Sequence, residues 1–129
     1  MLSYTIIGAN DVTRSQRFYS AILCPLGYEC TEAPGVAVYT LPDGNHTIYV
    51  RQPFDGQAAT YGNGSMLAFQ ARSHQLVHEI HAAGCEAGGI DEGAPGFRDE
   101  YSEHFYVAYL RDDVGNKIAV FCNDPKGGS

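Results

Sequence analysis

The 129 residues carry 15 Asp and Glu against 8 Lys and Arg, a net charge of −7, with 44% hydrophobic and 18% charged residues. This length suits one compact domain, and so apolar a composition excludes a mainly disordered chain. The acidic balance, with no cluster of Lys and Arg, argues against nucleic-acid binding, and no stretch approaches the roughly 18 apolar residues of a membrane span.

Ser3 to Gly8 reads as a strand, a β-branched and aromatic run closed by glycine. Asn10 and Asp11 offer an N-cap, and Val12, Phe18, Tyr19 and Ile22 follow near helical spacing. Pro25 sets the end of that helix around Cys24. Tyr28 to Thr31, Val36 to Leu41 and Thr47 to Arg51 read as strands, with turns at Pro34-Gly35 and Pro42-Asp43-Gly44-Asn45. A crossover loop over Pro53 to Gly64 follows, and then the pattern restarts. Ser65 to Ala71 is a strand, Ser73 caps a helix to Ala83, and Gly84 is expected to end it. Glu86 to Ile90 reads as a short strand and Asp91 to Glu100, with Gly93-Ala94-Pro95-Gly96, as a loop. Phe105 to Arg111 and Asn116 to Cys122 form a hairpin across Asp112 to Gly115.

Both halves therefore read βαβββ. Gly44-Asn45-His46-Thr47-Ile48-Tyr49-Val50 also matches Gly115-Asn116-Lys117-Ile118-Ala119-Val120 with one extra residue, which supports a duplicated module. The expected organisation is a single domain over 1–124, with module one at about 2–52, a linker at 53–63 and module two at about 64–123. Residues 125–129 are expected to be a flexible tail. The start lacks a basic segment and a cleavage site, and the four cysteines form no CxxC pair; reduced thiols in the cytoplasm are expected.

Gly8-Ala9-Asn10-Asp11 leading into Arg17-Phe18-Tyr19, then Leu26-Gly27-Tyr28, Gly64 to Phe69 and Arg111 to Ile118 occur in a telling order and spacing. On these pieces the chain resembles the glyoxalase, bleomycin-resistance and extradiol-dioxygenase superfamily, the vicinal oxygen chelate family, over about residues 2 to 123. The resemblance implies an α+β fold of two βαβββ modules whose curved sheets enclose a cavity, in a homodimer. It also implies a divalent metal held by His, Gln or Glu on the first and last strands of each module, acting as a Lewis acid on vicinal substrate oxygens. Carried over, those positions fall on Tyr4, Tyr49, Met66 and Ala119. None is a usual ligand for a hard cation, so no metal or other cofactor is expected there.

Strand alternation puts Thr47 and Arg51 on the face of Tyr49, Ala68 and Gln70 on that of Met66, and Lys117 and Phe121 on that of Ala119. Phe105, Val107 and Tyr109 join them from the hairpin. The expected ligand-binding set is Tyr4, Tyr49, Arg51, Met66, Gln70, Phe105, Tyr109, Lys117, Ala119 and Phe121; the bland alternative is a collapsed aromatic core. Tyr109, His104 and Arg98 are the catalytic candidates. His104 serves as a base only if a bulge shifts the register, and Arg98 either binds a carboxylate or pairs with Asp99, Glu100 or Glu103.

His74, His78 and His81 share one helical face and are expected to face solvent as an incidental metal-capturing stripe. Gln75 stands where a zincin helix needs glutamate. There is no GxGxxG, P-loop or Gly-x-Ser-x-Gly elbow. The expected function is metal-independent binding or sequestration of a small organic molecule. The alternatives are a glyoxalase-like lyase, isomerase or dioxygenase-related enzyme with an atypical or metal-free site, and a structural protein with a filled cavity.

Overall fold

The computed structural model describes residues 1–128. Its elements run β1 (Tyr4–Gly8), α1 (Val12–Leu23), β2 (Glu29–Ala33), β3 (Val36–Thr40), β4 (Thr47–Arg51), β5 (Met66–Gln70), α2 (His74–Glu86), β6 (Ile90–Phe97), β7 (Tyr106–Arg111) and β8 (Lys117–Cys122). The order βαβββ occurs twice, as expected. Each module builds a four-stranded mixed sheet of one topology, β1-β4-β3-β2 and β5-β8-β7-β6. The first strand of each lies parallel to the last, and the other pairs are antiparallel. A helical crossover is what makes such a parallel pair reachable.

Local chemistry explains most boundaries. The Asp11 carboxylate accepts the N–H of Arg14 at 3.1 Å and opens α1; Ser73 Oγ accepts that of Leu76 at 3.1 Å and opens α2. Ahead of Pro25, α1 tightens into a 3-10 turn that closes on Gly27 at φ +99°, the left-handed region where glycine carries no Cβ penalty.

Two expectations are corrected. Gly84 does not end α2, which continues to Glu86. A Cβ at Gly84 would lie 2.8 Å from Leu110 Cδ1 and 3.0 Å from Ile22 Cγ2, so the glycine lets α2 approach β7 and α1. Residues 91–97 are not loop but most of β6, an edge strand that pairs with β7. Its register slips between Asp91 and Gly93 and again between Gly93 and Gly96. Glycine and proline at bulges on an edge disguise the strand, because they break the period-two pattern without breaking the pairing.

Both helices lie on the same side of the two sheets. Phe18, Tyr19 and Ile22 of α1 and Val77 and Ile80 of α2 pack with Ile48, Val50, Ile118 and Val120 in one buried cluster spanning both modules. A polar lock joins the halves. Asp112 is 1% exposed, yet its Oδ1 accepts the N–H groups of Val114, Gly115 and Asn116 at 2.9, 2.9 and 2.8 Å. Its Oδ2 accepts Asn116 Nδ2 and the Tyr19 hydroxyl from α1. Ser15 Oγ, also on α1, donates to Asp113. A carboxylate so deeply buried is tolerated because its lone pairs are filled. Burial first, then Asp112, pushes the Tyr19 phenol well up.

The linker is pinned where Asn10 exchanges two hydrogen bonds with the backbone of Ala59, against β1 at Gly8. The tail expected to fray instead returns to α2: His74 N–H donates to Gly127 O, and Gly128 bridges to Ser73. Ser129 lies outside the described residues. Among those described, no helix is long and apolar enough to cross a membrane.

Candidate functional site

Strand register decides which side chains share the sheet faces turned away from the helices. On the first sheet the rows are Tyr4, Thr47 and Thr40; Ile6, Tyr49 and Val38; and Gly8, Arg51 and Val36. On the second they are Met66, Lys117 and Arg111; Ala68, Ala119 and Tyr109; and Gln70, Phe121 and Val107. The alternating partners Ile48, Val50, Ile118 and Val120 are buried beneath the helices. Tyr4, Ile6 and Met66 are 60%, 57% and 45% exposed on these open faces, whereas Ala119 is buried at their floor.

Several expected site residues meet directly. The ring of Tyr4 stands edge-on to that of Tyr49, with centroids 5.9 Å apart, and Phe105 lies against Phe121 at 5.5 Å. Lys117 Nζ sits 4.8 Å and Arg98 Cζ 5.9 Å from the centre of the Tyr109 ring. Arg98 forms no ion pair among the described residues; Nη2 donates to Ala94 O at 3.0 Å and Nη1 to Phe97 O at 3.2 Å. Gln70 Nε2 donates to Asn123 Oδ1, and Arg51 Nε to the neighbouring Gln52 O. Arg111 is ion-paired with Glu92 at 3.2 Å. The Tyr109 phenol is pushed up by burial and by Tyr101, against the opposing pull of Arg98, and stays neutral.

Between the sheets, the edges of β1 and β5 face each other across a cleft of about 290 Å³. Ile6, Gly8, Met66 and Lys117 line it, with Tyr19 and Asn116 reaching in from the helix side. Of the four positions the resemblance assigns to metal ligands, Met66 alone borders this cleft. Tyr4 and Tyr49 pack on each other, and Ala119 pairs in register with Tyr109. A second cavity of about 250 Å³ lies among Leu2, Thr5, Tyr28, His46, Leu67, Ala68 and Phe69. Both His46 ring nitrogens are engaged there, Nε2 with Thr5 Oγ1 and Nδ1 with Tyr28 OH, each at 3.0 Å.

The four assigned positions do not fit a hard divalent cation. Alanine has no donor, the thioether of Met66 is soft, and a neutral phenol is a poor ligand. Among the described residues, no three His, Cys, Asp or Glu side chains gather as a metal centre requires.

The helical histidines need correcting in part: His78 stays exposed as expected, whereas β6 and β7 partly cover His74 and His81. His74 stacks on Tyr106 with centroids 4.0 Å apart and meets Phe97 edge-on at 5.4 Å. His78 Nε2 bonds to Tyr106 OH, and His81 Nε2 to Asp91 Oδ1 at 3.0 Å. The stripe is a structural seam. His104 sits in a left-handed turn (φ +66°) before β7, with Nε2 3.4 Å from Glu103 Oε1. Tyr19, Asn116 and His46 stand in sequence motifs, but their places in the cavities come from contacts between distant segments, which no local pattern marks.

Compared with solved structures, the chain is 40% identical to a glyoxalase/bleomycin resistance protein from Albidiferax ferrireducens T118, covering 96% of this chain and 99% of that one, with a TM-score of 0.85. It is 18% identical to a glyoxalase-related enzyme from Fulvimarina pelagi (100% and 95% covered, TM-score 0.75). It is 17% identical to a glyoxalase/bleomycin resistance protein/dioxygenase family enzyme from Burkholderia phytofirmans PsJN (95% and 98%, TM-score 0.72). At these two lower identities the likeness is one of fold. No family model and no curated protein matches the chain.

Proposed function

The chain belongs to the glyoxalase/bleomycin resistance protein family, and from that premise we propose that it binds a small organic molecule on its open sheet faces, without a metal at the family's chelating positions. The observation that carries this reading is the side-chain set at those positions. Tyr4 and Tyr49 pack edge to face, Met66 borders the inter-sheet cleft, and Ala119 contributes only a methyl group. Aromatic walls with a few polar groups, here Tyr109, Lys117, Phe105 and Phe121, are the usual make-up of a small-molecule site.

The test is elemental analysis of untagged protein, joined to a thermal-shift screen of aromatic, cationic and carboxylate compounds before and after chelation. A bound compound stabilises by about 2.7 kcal/mol at a hundredfold excess over its Kd. The expected outcome is a stabilising compound whose effect survives chelation. Stoichiometric metal that is lost on substituting Tyr4 and Met66 would overturn the metal-independent reading.

We further propose a homodimer. The exposed Tyr4, Ile6 and Met66 place large apolar surface on the open faces, which a second copy would cover. Light scattering should then give twice the 14.0 kDa of one chain, and a mass near a single chain would refute it.

A further inference from the structure

We propose that the surroundings of the Tyr109 ring form a carboxylate-binding subsite, in which Arg98 and Lys117 receive the acid group of a small planar organic ligand. This rests on the reading of the open faces as ligand-binding and names the class of ligand.

The chain has a net charge of −7 and only eight Lys and Arg, yet two of these flank one ring, at 4.8 and 5.9 Å. Neither has a carboxylate partner among the described residues. Several acids of this region are engaged elsewhere: Glu92 with Arg111, Asp91 with His81, Glu103 with His104. Asp99 and Glu100, both exposed in the turn after β6, are the acids left beside the pair, and neither forms an ion pair with Arg98 or Lys117. An acidic protein repels anions at long range, so a local pair of unneutralised cations marks the place where one would be accepted.

The guanidinium is also held in advance. Ala94 lies within the second bulge of β6, and Arg98 donates to its carbonyl and to that of the adjacent Phe97. The glycines of the bulge make room for the pair: a Cβ at Gly96 would come 3.0 Å from Arg98 Nη1, and one at Gly93 2.8 Å from Tyr109 Cδ2. Two of the five N–H donors of Arg98 are engaged this way, and the rest remain to grip an oxyanion. A cation fixed before binding loses less freedom on meeting its anion. The Tyr109 ring and the Phe105–Phe121 pair supply apolar surface for a flat ligand body.

Calorimetric titration of the full chain with benzoate, benzamide and benzamidine tests this, because the three share one ring and differ in charge. Benzoate should bind about tenfold tighter than benzamide, a factor of the size charge-assisted hydrogen bonds supply. Arg98→Gln and Lys117→Gln should each weaken benzoate several-fold and leave benzamide unchanged, with Arg98→Lys retaining part of the affinity. Arg14→Gln, an exposed cation on α1 and away from the open faces, should have no effect. Unchanged melting temperatures show that the variants fold, and Lys117→Gln leaves the bulge contacts of Arg98 untouched. Equal binding of the three probes, or benzoate binding indifferent to both variants, overturns the subsite and leaves the ligand-binding reading standing. If none of the three binds, the subsite falls, and the thermal-shift screen alone decides the ligand-binding reading.

Discussion

The two modules share one backbone plan and differ in what they hang on it. Edge strand β2 spans Glu29–Ala33, pairs with β3 without a slip and exposes Glu29 and Glu32. Its counterpart β6 has eight residues, two register slips and glycines that clear space for Tyr109 and Arg98. The open face of module one presents Tyr4, Ile6, Tyr49 and Val38, and that of module two adds Lys117, Arg111 and Tyr109. The hairpin turns diverge as well. Asp43 is exposed and accepts one backbone N–H, from Asn45 at 2.9 Å, while Asp112 is buried and locks its turn to α1. Duplication preserves which face a side chain occupies, because pairing and pleat set that; it leaves each side chain free to change. Module two thus holds the Asp112 side of the inter-module lock and most of the charge of the candidate site, with Arg51 the cation on the open face of module one.

The turns offer the largest contrast. Asp112→Ala removes a buried acceptor and orphans the backbone N–H groups of Val114 and Asn116, the Asn116 amide and a phenol, so urea unfolding should show a loss of about 4 kcal/mol. Asp43→Ala should cost under about 1 kcal/mol, since water replaces its partner. Equal losses would erase the asymmetry.

The glycines after the two helices come next. A Cβ at Gly89 would lie 2.4 Å from Phe18 Cε1 and 2.7 Å from Gly84 O, so Gly89→Ala should cost about 2–3 kcal/mol through overpacking. Gly27 has open space and a positive φ, so Gly27→Ala should cost about 1 kcal/mol from backbone strain alone.

Tyr49→Ala, at a half-buried site, should cost about 1–2 kcal/mol, below the roughly 3–5 of a fully packed aromatic. It should weaken the best compound from the screen by a larger factor than it weakens the fold. A loss in the fully packed range without any change in binding would mark Tyr49 as core.

The smallest effect is electrostatic. The Gly93 N–H first, then His81, holds the Asp91 carboxyl below its ordinary range. A depressed folded pKa stabilises above the unfolded value and loses that contribution as pH falls through the folded one, below about pH 4. Asp91→Asn should therefore flatten this part of the acid limb in a stability-against-pH series, and an unchanged limb would show that the contact adds nothing.

Much of the fold was legible in the sequence because its causes are local. Asp11 and Ser73 cap helices with their own side chains, and glycine and proline set the turns. The period of two put Tyr49, Arg51, Met66, Gln70, Lys117 and Phe121 on the faces they occupy, so which side chains share the open faces was largely readable. The repeat of Ile48 and Val50 as Ile118 and Val120 marked the core strands of both modules. Tertiary structure alone decided the rest. Strand β6 exists because β7 supplies its hydrogen bonds, against its own glycines and proline. Gly84 is explained by Ile22 and Leu110, and His74 and His78 by Tyr106. Tyr19 finds Asp112 across 93 residues, and Arg98 donates to the carbonyl of Ala94 within a bulge of β6. Periodicity and capping are properties of a short window of chain, whereas burial and long-range pairing exist only once distant windows have met.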